Sequence, residues 1–363
     1  MNDWIDHWVR PEIRSLSAYH VPPSSGFVKL DAMENPYAWP SELVADWLES
    51  LRSVALNRYP DPAAGELVAA LRETMGVPRG QAIVLGNGSD ELIQMLILLI
   101  GGPGRVVLAP EPTFVMYRMI AQFSGLRFVG VPLREVDFAL DSAAMLEAIE
   151  LHQPALVYLA YPNNPTGNHW ARDEIEAILR AAPGLVVLDE AYSPFASDSF
   201  MGELGRHPNL MVMRTLSKWG LAGLRLGYLC GPVAWTEQIE KLRLPYNINV
   251  LTQVSARFAL RHAEVFAEQA RQIRAERARV AKALEDSAAF TVYPSDANFI
   301  LFRAAPGNAA RIFEALKRAR ILIKNLSHTG GALSDCLRVT VGTPDENTAF
   351  LSAIRSILAD HSA

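Results

Sequence analysis

From residue 81 onward the chain alternates between two hydrophobic rhythms, and this narrows the possible folds more than any other feature. Short, continuous apolar runs occur at "AIVL" (82–85), "RVVLA" (105–109), "RFVGV" (127–131), "ALVYLA" (155–160), "GLVVLD" (184–189), "LMVMRT" (210–215) and "RLGYLC" (225–230). Between most of them lie stretches with apolar residues at helical spacing, such as "SDELIQMLILLI", "TFVMYRMIAQF", "DSAAMLEAIELH" and "ARDEIEAILRAA". A strand that is apolar on both faces must be covered on both faces. The pattern therefore predicts an α/β fold, with a large domain whose mainly parallel seven-stranded sheet is sandwiched by helices. After about residue 245 the rhythm changes: one long helix over roughly 250–285, strands at "ANFILF" and "CLRVTVG", and helices near 308–319 and 345–358. That pattern predicts a smaller α+β domain. The expected organisation is an arm over 1–35 that packs on the small domain or a partner subunit, a large domain over 36–245 and a small C-terminal domain over 246–363.

Composition excludes several classes. Of 363 residues half are hydrophobic, and the net charge is −5, so a large core is available and nothing points to nucleic acid or an anionic membrane. The one basic cluster, "RQIRAERARVAK" (271–282), carries its charges at helical spacing and is expected to be a solvated helix face. Cys230 and Cys336 lie far apart and form no CxxC, which argues against a disulfide framework or zinc ribbon and fits a reducing cytoplasm. The eight histidines are scattered without an HExxH, so a metal hydrolase is disfavoured. The N-terminal stretch has acidic residues and no apolar signal core, and the run "LILLI" (96–100) is too short to span a bilayer.

In open α/β sheets, ligands bind at the carboxyl ends of the strands. The first strand runs into "GNGSDE" (86–91). There Gly88 permits a tight turn, and Ser89 and Asp90 at the N-cap and first helical turn would present free amides to a phosphate or simply cap a helix. Phe114 follows the second strand, either as a plate for a planar ligand or as core. "YPNNPTGN" (161–168) is a stiff turn in which two prolines flank Asn164. "VVLDEAY" (186–192) delivers Asp189 from an apolar strand, with Tyr192 three residues on. A carboxylate buried there needs a partner, and a buried cation is expected. "TLSK" (215–218) places Lys218 at an apolar strand end, where its pKa should fall unless the side chain snorkels to solvent.

Together these segments resemble fold type I pyridoxal-phosphate aminotransferases, and in detail the histidinol-phosphate aminotransferase family. The resemblance spans nearly the whole chain: "LDAMENPY" (30–37), "RYPDP" (58–62), "GNGSDELI", "YPNNPTG", "DEAY", "TLSKWGLAGLRLGY" and "CLRVTVGTPDEN" (336–347). It implies pyridoxal 5'-phosphate as cofactor and a homodimer in the cytoplasm. It also implies ping-pong transfer of an amino group between L-histidinol phosphate/imidazole-acetol phosphate and glutamate/2-oxoglutarate, in histidine biosynthesis. By resemblance, Lys218 carries the cofactor and shuttles the reaction proton. Asp189 pairs with the pyridinium nitrogen. Asn164 and Tyr192 meet the phenolic oxygen, and Phe114 stacks on the ring. Gly88, Ser89, Asp90 (through its amide), Ser217 and Arg225 hold the phosphate, and Tyr59 reaches it from the neighbouring subunit. Arg338 would bind the substrate phosphate or glutamate's carboxylate. Tyr19 and Lys324 would lie near the substrate phosphate.

Two departures from the family pattern bear on the site. Lys218 and Arg225 are seven residues apart where many relatives have eight, so a local loop change is expected. Lys324 stands where some relatives carry arginine, which keeps the charge but loses the planar fork. An aromatic amino-acid aminotransferase, a threonine-phosphate decarboxylase and a non-catalytic cofactor-binding protein are the alternatives that similar motifs allow.

Overall fold

The structure, a computed structural model, describes residues 3–16, 18 and 23–359. Its thirteen strands in chain order are β1 (Val28–Lys29), β2 (Gln81–Gly86), β3 (Val106–Glu111), β4 (Arg127–Pro132), β5 (Leu156–Ala160), β6 (Leu185–Asp189), β7 (Leu210–Thr215), β8 (Gly227–Pro232), β9 (Phe290–Val292), β10 (Phe299–Ala304), β11 (Ile321–Leu322), β12 (Lys324–Asn325) and β13 (Cys336–Thr340).

Seven of them form one sheet in the order β2-β8-β7-β6-β5-β3-β4. Neighbours are parallel except at β8, which runs antiparallel to both β2 and β7. The apolar runs are continuous because alternate side chains enter different cores. Val157 and Leu159 of β5 and Val186 and Leu188 of β6 pack with helices Ser142–His152 and Arg172–Ala181. Leu156, Tyr158, Leu185 and Val187 pack on the other face with helices Ser89–Ile100 and Val115–Phe123. Each fully buried leucine or valine contributes about 1.5–3 kcal/mol, so both cores are needed to hold one rigid sheet.

β9, β10, β12 and β13 form a second, antiparallel sheet in the order β12-β13-β10-β9. Its apolar face packs on helices Ala309–Arg318 and Pro344–Ala359 and on the C-terminal part of a long helix. The single helix expected over 250–285 is two, Val250–Leu260 and Ala263–Asp286, broken where His262 adopts φ −117° and ψ 37°. The reason lies in what each half covers. Ala256, Ala259 and Leu260 belong to the core of the large sheet, whereas Ile273, Val280 and Leu284 belong to that of the small one. A straight helix would not face both.

A segment over residues 28–35, which bends at Asp31–Ala32 and takes φ 52° at Met33, runs along the small sheet. β1 pairs in parallel with β11, and the Leu30 carbonyl accepts the Thr340 N–H at 2.9 Å. The Met33 N–H donates to Thr340 Oγ1 at 2.9 Å, and Asn298 Nδ2 donates to the Met33 carbonyl at 3.0 Å. Asn35 Nδ2 donates to Gln269 Oε1 at 2.9 Å. Cys230 and Cys336 are buried free thiols, and among the described residues no His, Cys, Asp and Glu group could hold a metal ion. No described helix is long and apolar enough to cross a membrane.

Candidate active site

Strand direction gathers the C-terminal ends of β2, β5, β6 and β7 at one edge of the large sheet. There a pocket of about 590 Å³, solvent at its mouth included, has Ser89, Asp90, Phe114, Asn164, Asp189, Tyr192, Ser217, Lys218 and Arg225 in its wall. The size suits a small organic ligand.

One end of the pocket is the N-terminus of the helix Ser89–Ile100. The cap is Gly88 rather than Ser89: Gly88 sits at φ 86° and ψ 167°, a conformation that side chains strongly disfavour, and Ser89 is already the first helical residue. No side chain caps this end. Its first-turn amides and the positive end of the helix dipole therefore face the pocket, as an anion requires. Gly227 in β8 lies so close that a Cβ there would stand 2.7 Å from the Gly88 carbonyl carbon and from the Ser89 nitrogen.

Arg225 completes that end. The seven-residue spacing is accommodated by a wide turn over Ser217–Leu221, with Gly220 at φ 127°, followed by a 3-10 turn over Ala222–Leu224. Arg225 itself takes a left-handed conformation at φ 50°. Its Nη2 then lies 3.6 Å from Asp90 Oδ2 and packs against Gly88. The shorter loop thus delivers the guanidinium to the helix N-terminus. Burial raises the pKa of Asp90, opposed by the charges of Arg225 and Lys218.

The middle of the pocket holds the two groups of opposite charge. Asp189 ends β6 and is buried, and that burial pushes its pKa up to about 6 against two hydrogen bonds that lower it. Those bonds come from Tyr117 Oη to Oδ2 at 2.5 Å and the Ala191 N–H to Oδ1 at 3.1 Å. The buried cation expected from the sequence is not a side chain: among the described residues, donors rather than a cation hold Asp189. Lys218 does not snorkel. Its Nζ donates to the Ala32 carbonyl at 3.2 Å and lies 5.7 Å from the centre of the Tyr192 ring. Desolvation, reinforced by the positive charge of Arg338, brings its pKa down to about 8. An amine with this pKa is partly neutral at physiological pH and so available as a nucleophile.

The remaining walls are aromatic and amide. Phe114 caps the helix Val115–Phe123 and meets Tyr117 edge-on, with ring centres 5.6 Å apart. Tyr192 is buried edge-on against Phe299 at 5.1 Å. The loop after β5 is braced by Asn163, whose Nδ2 donates to the Pro112 carbonyl at 2.9 Å and to Thr166 Oγ1 at 2.7 Å. That leaves the neighbouring Asn164 to present its side chain. Asn164 Oδ1 accepts a hydrogen bond from Arg338 Nη1, which joins the two sheets at the site. Arg338 is buried in β13, with Nη2 donating to the Asp31 carbonyl at 3.2 Å and the guanidinium 5.2 Å from the Phe299 ring centre. Ser217 is buried, with its backbone N–H held by Thr215 Oγ1 at 3.1 Å.

Three residues chosen from the sequence lie elsewhere. Lys324 stands opposite Arg338 on β12, half-buried and outside the pocket wall. Tyr59 is exposed and stacked on Tyr246 at 4.4 Å, also outside the wall. Tyr19 falls outside the described residues. Conversely, Tyr117, Met33 and Thr215 line the pocket without having been singled out. For Tyr117 a signal existed: it lies three residues after Phe114, a spacing that puts both on one helix face.

A buried amine, a buried carboxylate, an aromatic plate and an anion cradle in one pocket define a site for covalent carbonyl chemistry on a planar, anionic cofactor. A family model described as aminotransferase class I and II matches residues 25–354, and the chain belongs to that family. It is 58% identical over 354 residues to "Histidinol-phosphate aminotransferase 2" of Nitrosococcus oceani, with 98% of each chain covered. It is 55% identical over 351 residues to "Histidinol-phosphate aminotransferase" of Chromobacterium violaceum, covering 97% of this chain and 98% of that one. Among solved structures, the histidinol-phosphate aminotransferase from Sinorhizobium meliloti in complex with pyridoxal-5'-phosphate superimposes with a TM-score of 0.87 at 25% identity. That match covers 97% of this chain and 98% of the other.

Proposed function

We propose that this chain is a pyridoxal-phosphate-dependent aminotransferase that exchanges the amino group between L-histidinol phosphate and 2-oxoglutarate, as histidine biosynthesis requires. The observation that carries the reading is one pocket holding Lys218, with its lowered pKa, and the buried Asp189, with Arg338 bonded to Asn164 beside them. Relatives at 50–58% identity with the same printed name support the substrate.

The residues present fit the cofactor. Asp189 is a buried carboxylate to which the chain offers hydrogen-bond donors but no cation among the described residues, so a protonated pyridine nitrogen is its natural partner. The side-chain-free helix N-terminus with Arg225 matches a phosphate dianion in charge and donor geometry. When bound, pyridoxal phosphate supplies an electron sink for negative charge at the substrate's reacting carbon. Lys218 would hold the cofactor through Nζ and, with that amine free, would carry the proton between the substrate Cα and the cofactor C4′. Asn164 and Tyr192 would hold the phenolic oxygen, and Phe114 would cover one face of the ring. Gly88, Ser89, the Asp90 amide and Ser217 would hold the phosphate with Arg225. Arg338 binds the substrate phosphate in one half-reaction and the glutamate carboxylate in the other. Tyr19 and Lys324 contribute near that phosphate.

Several further assignments belong to this reading. The protein works as a homodimer in the cytoplasm, and Tyr59, exposed in the single chain, reaches the partner's phosphate site. The arm 1–35, a large cofactor-binding domain 36–245 and a small domain 246–363 are its units. The sheet composition supports that division, with β2 to β8 in one sheet and β9, β10, β12 and β13 in the other, except that helix Val250–Leu260 packs in the core of the large sheet and so goes with the large domain.

A half-reaction screen tests the function. The cofactor-loaded protein is mixed separately with histidinol phosphate, phenylalanine, tyrosine and threonine phosphate, and conversion to the amine form is followed by absorbance. Histidinol phosphate converts it fastest. Equal or faster conversion by phenylalanine or tyrosine would reassign it as an aromatic aminotransferase, and release of carbon dioxide from threonine phosphate would reassign it as a decarboxylase.

A further inference from the structure

Beside Asp189, in the wall of the same pocket, stands a residue with no role in the reading above. Tyr117 projects from the helix Val115–Phe123, is fully buried, and donates its phenol proton to Asp189 Oδ2 at 2.5 Å. Its ring stacks on Tyr158 with centres 4.4 Å apart and planes 1° from parallel, and meets Phe114 edge-on at 5.6 Å. One side chain therefore supports both the aromatic plate and the carboxylate of the pocket.

We propose that Tyr117 is a positioning residue that keeps Asp189 ionised and aimed into the pocket while bracing Phe114, so that ring stacking and carboxylate pairing are set by one side chain. The proposal rests on the cofactor assignment above. Its physical basis is the balance at Asp189. Burial favours the neutral acid, whose proton would occupy the site where a pyridinium must donate. Among the described residues two donors, the Tyr117 hydroxyl and the Ala191 N–H, oppose that burial, one on each oxygen. Tyr117 does not ionise in competition, because burial and the adjacent Asp189 charge hold its own pKa well above the ordinary tyrosine range. It keeps a proton to donate wherever Asp189 is ionised. The other titratable groups facing Asp189 do not donate to it. Tyr158 comes from β5, Asp90 from the helix Ser89–Ile100, and Glu190 and Tyr192 from the turn after β6. Asp90 and Glu190 add negative charge that raises its pKa, and Lys218 lines the same pocket beyond β7.

The test uses the full-length apoprotein, and the probe is pyridoxal phosphate. Its dissociation constant is measured from pH 5 to 9 for the wild type, Tyr117→Phe and Tyr158→Phe. Removing the hydroxyl while keeping the ring raises the dissociation constant at pH 7 by about tenfold to a hundredfold, the range for losing a hydrogen bond to a charged acceptor. It also moves the acid limb, where binding fails as Asp189 takes a proton, upward by about one pH unit or more. Tyr158→Phe removes a hydroxyl that touches the Ile93 carbonyl at 3.4 Å and not Asp189, and it leaves the limb in place. A Tyr117→Phe protein that folds and shows the wild-type limb overturns the proposal, as does an equal shift in both variants. If the wild type itself binds no cofactor, the functional assignment fails instead, so the two failures are distinct.

Discussion

Replacing Gly227 by alanine tests how the phosphate end of the pocket is built. The new Cβ would stand 2.7 Å from both the Gly88 carbonyl carbon and the Ser89 nitrogen, and 2.9 Å from the Gly88 oxygen. All three are backbone atoms, so no flexible side-chain end can yield. Either β8 or the turn carrying Gly88 must retreat by several tenths of an ångström to reach ordinary contact. Overpacking of this kind costs about 1–3 kcal/mol. It outweighs the roughly 0.4–1 kcal/mol that a glycine-to-alanine change gains by restricting the unfolded chain. The turn is also where the Ser89 amide and Arg225 meet, since Arg225 Nη2 packs against Gly88. The displacement should therefore weaken pyridoxal phosphate binding by about tenfold, or 1.4 kcal/mol. Urea unfolding of the apoprotein gives the first number and cofactor titration the second. Gly223→Ala is the control: it lies in the turn just before β8, meets nothing within 4 Å, and should change stability by less than about 0.5 kcal/mol. If Gly227→Ala matches the wild type in both measurements, close backbone approach is not what shapes this end of the pocket.

Cofactor capture by the apoprotein should speed up as pH rises through about 8, because the lowered pKa of Lys218 leaves its reactive neutral amine populated above that value and depleted below it; a flat rate from pH 6 to 9 would contradict this. Arg338→Gln removes a nearby positive charge that lowers the Lys218 pKa, so the same rate profile should move to higher pH while KM for histidinol phosphate rises by about tenfold or more. Tyr59→Phe should weaken cofactor retention in the dimer without altering thermal unfolding of the apoprotein, and retention equal to the wild type would remove Tyr59 from the partner's phosphate site.

The five inner strands of the large sheet were legible because each is buried on both faces and so carries an unbroken apolar run, and the less buried edge strands β2 and β4 still carry shorter ones. The antiparallel direction of β8 was not, because an apolar run has no polarity. β1, β9, β11 and β12 are two or three residues long and have no period to detect. The break at His262 answers to two cores that meet only in the folded chain. At the site, the strand-end rule found Asn164, Asp189 and Lys218. Gly88 as the cap, in place of Ser89, depends on a positive φ that either residue order would allow on paper. Tyr117 looked like one more apolar-face aromatic. Its partner, Asp189, lies 72 positions away, and the Arg338–Asn164 contact spans 174. Contacts of that kind are products of topology rather than of local pattern.

The segment 28–35 serves the site mainly through its main chain. Two of the site's cations reach its carbonyl oxygens, Lys218 that of Ala32 and Arg338 that of Asp31. Alanine at Asp31 would therefore leave the acceptor for Arg338 in place, since the oxygen that matters belongs to the main chain. Its importance would surface instead in a single-residue deletion between Leu30 and Asn35. Such a deletion would slide the row of carbonyls by one place and hand each cation the wrong acceptor while leaving the composition of the pocket unchanged.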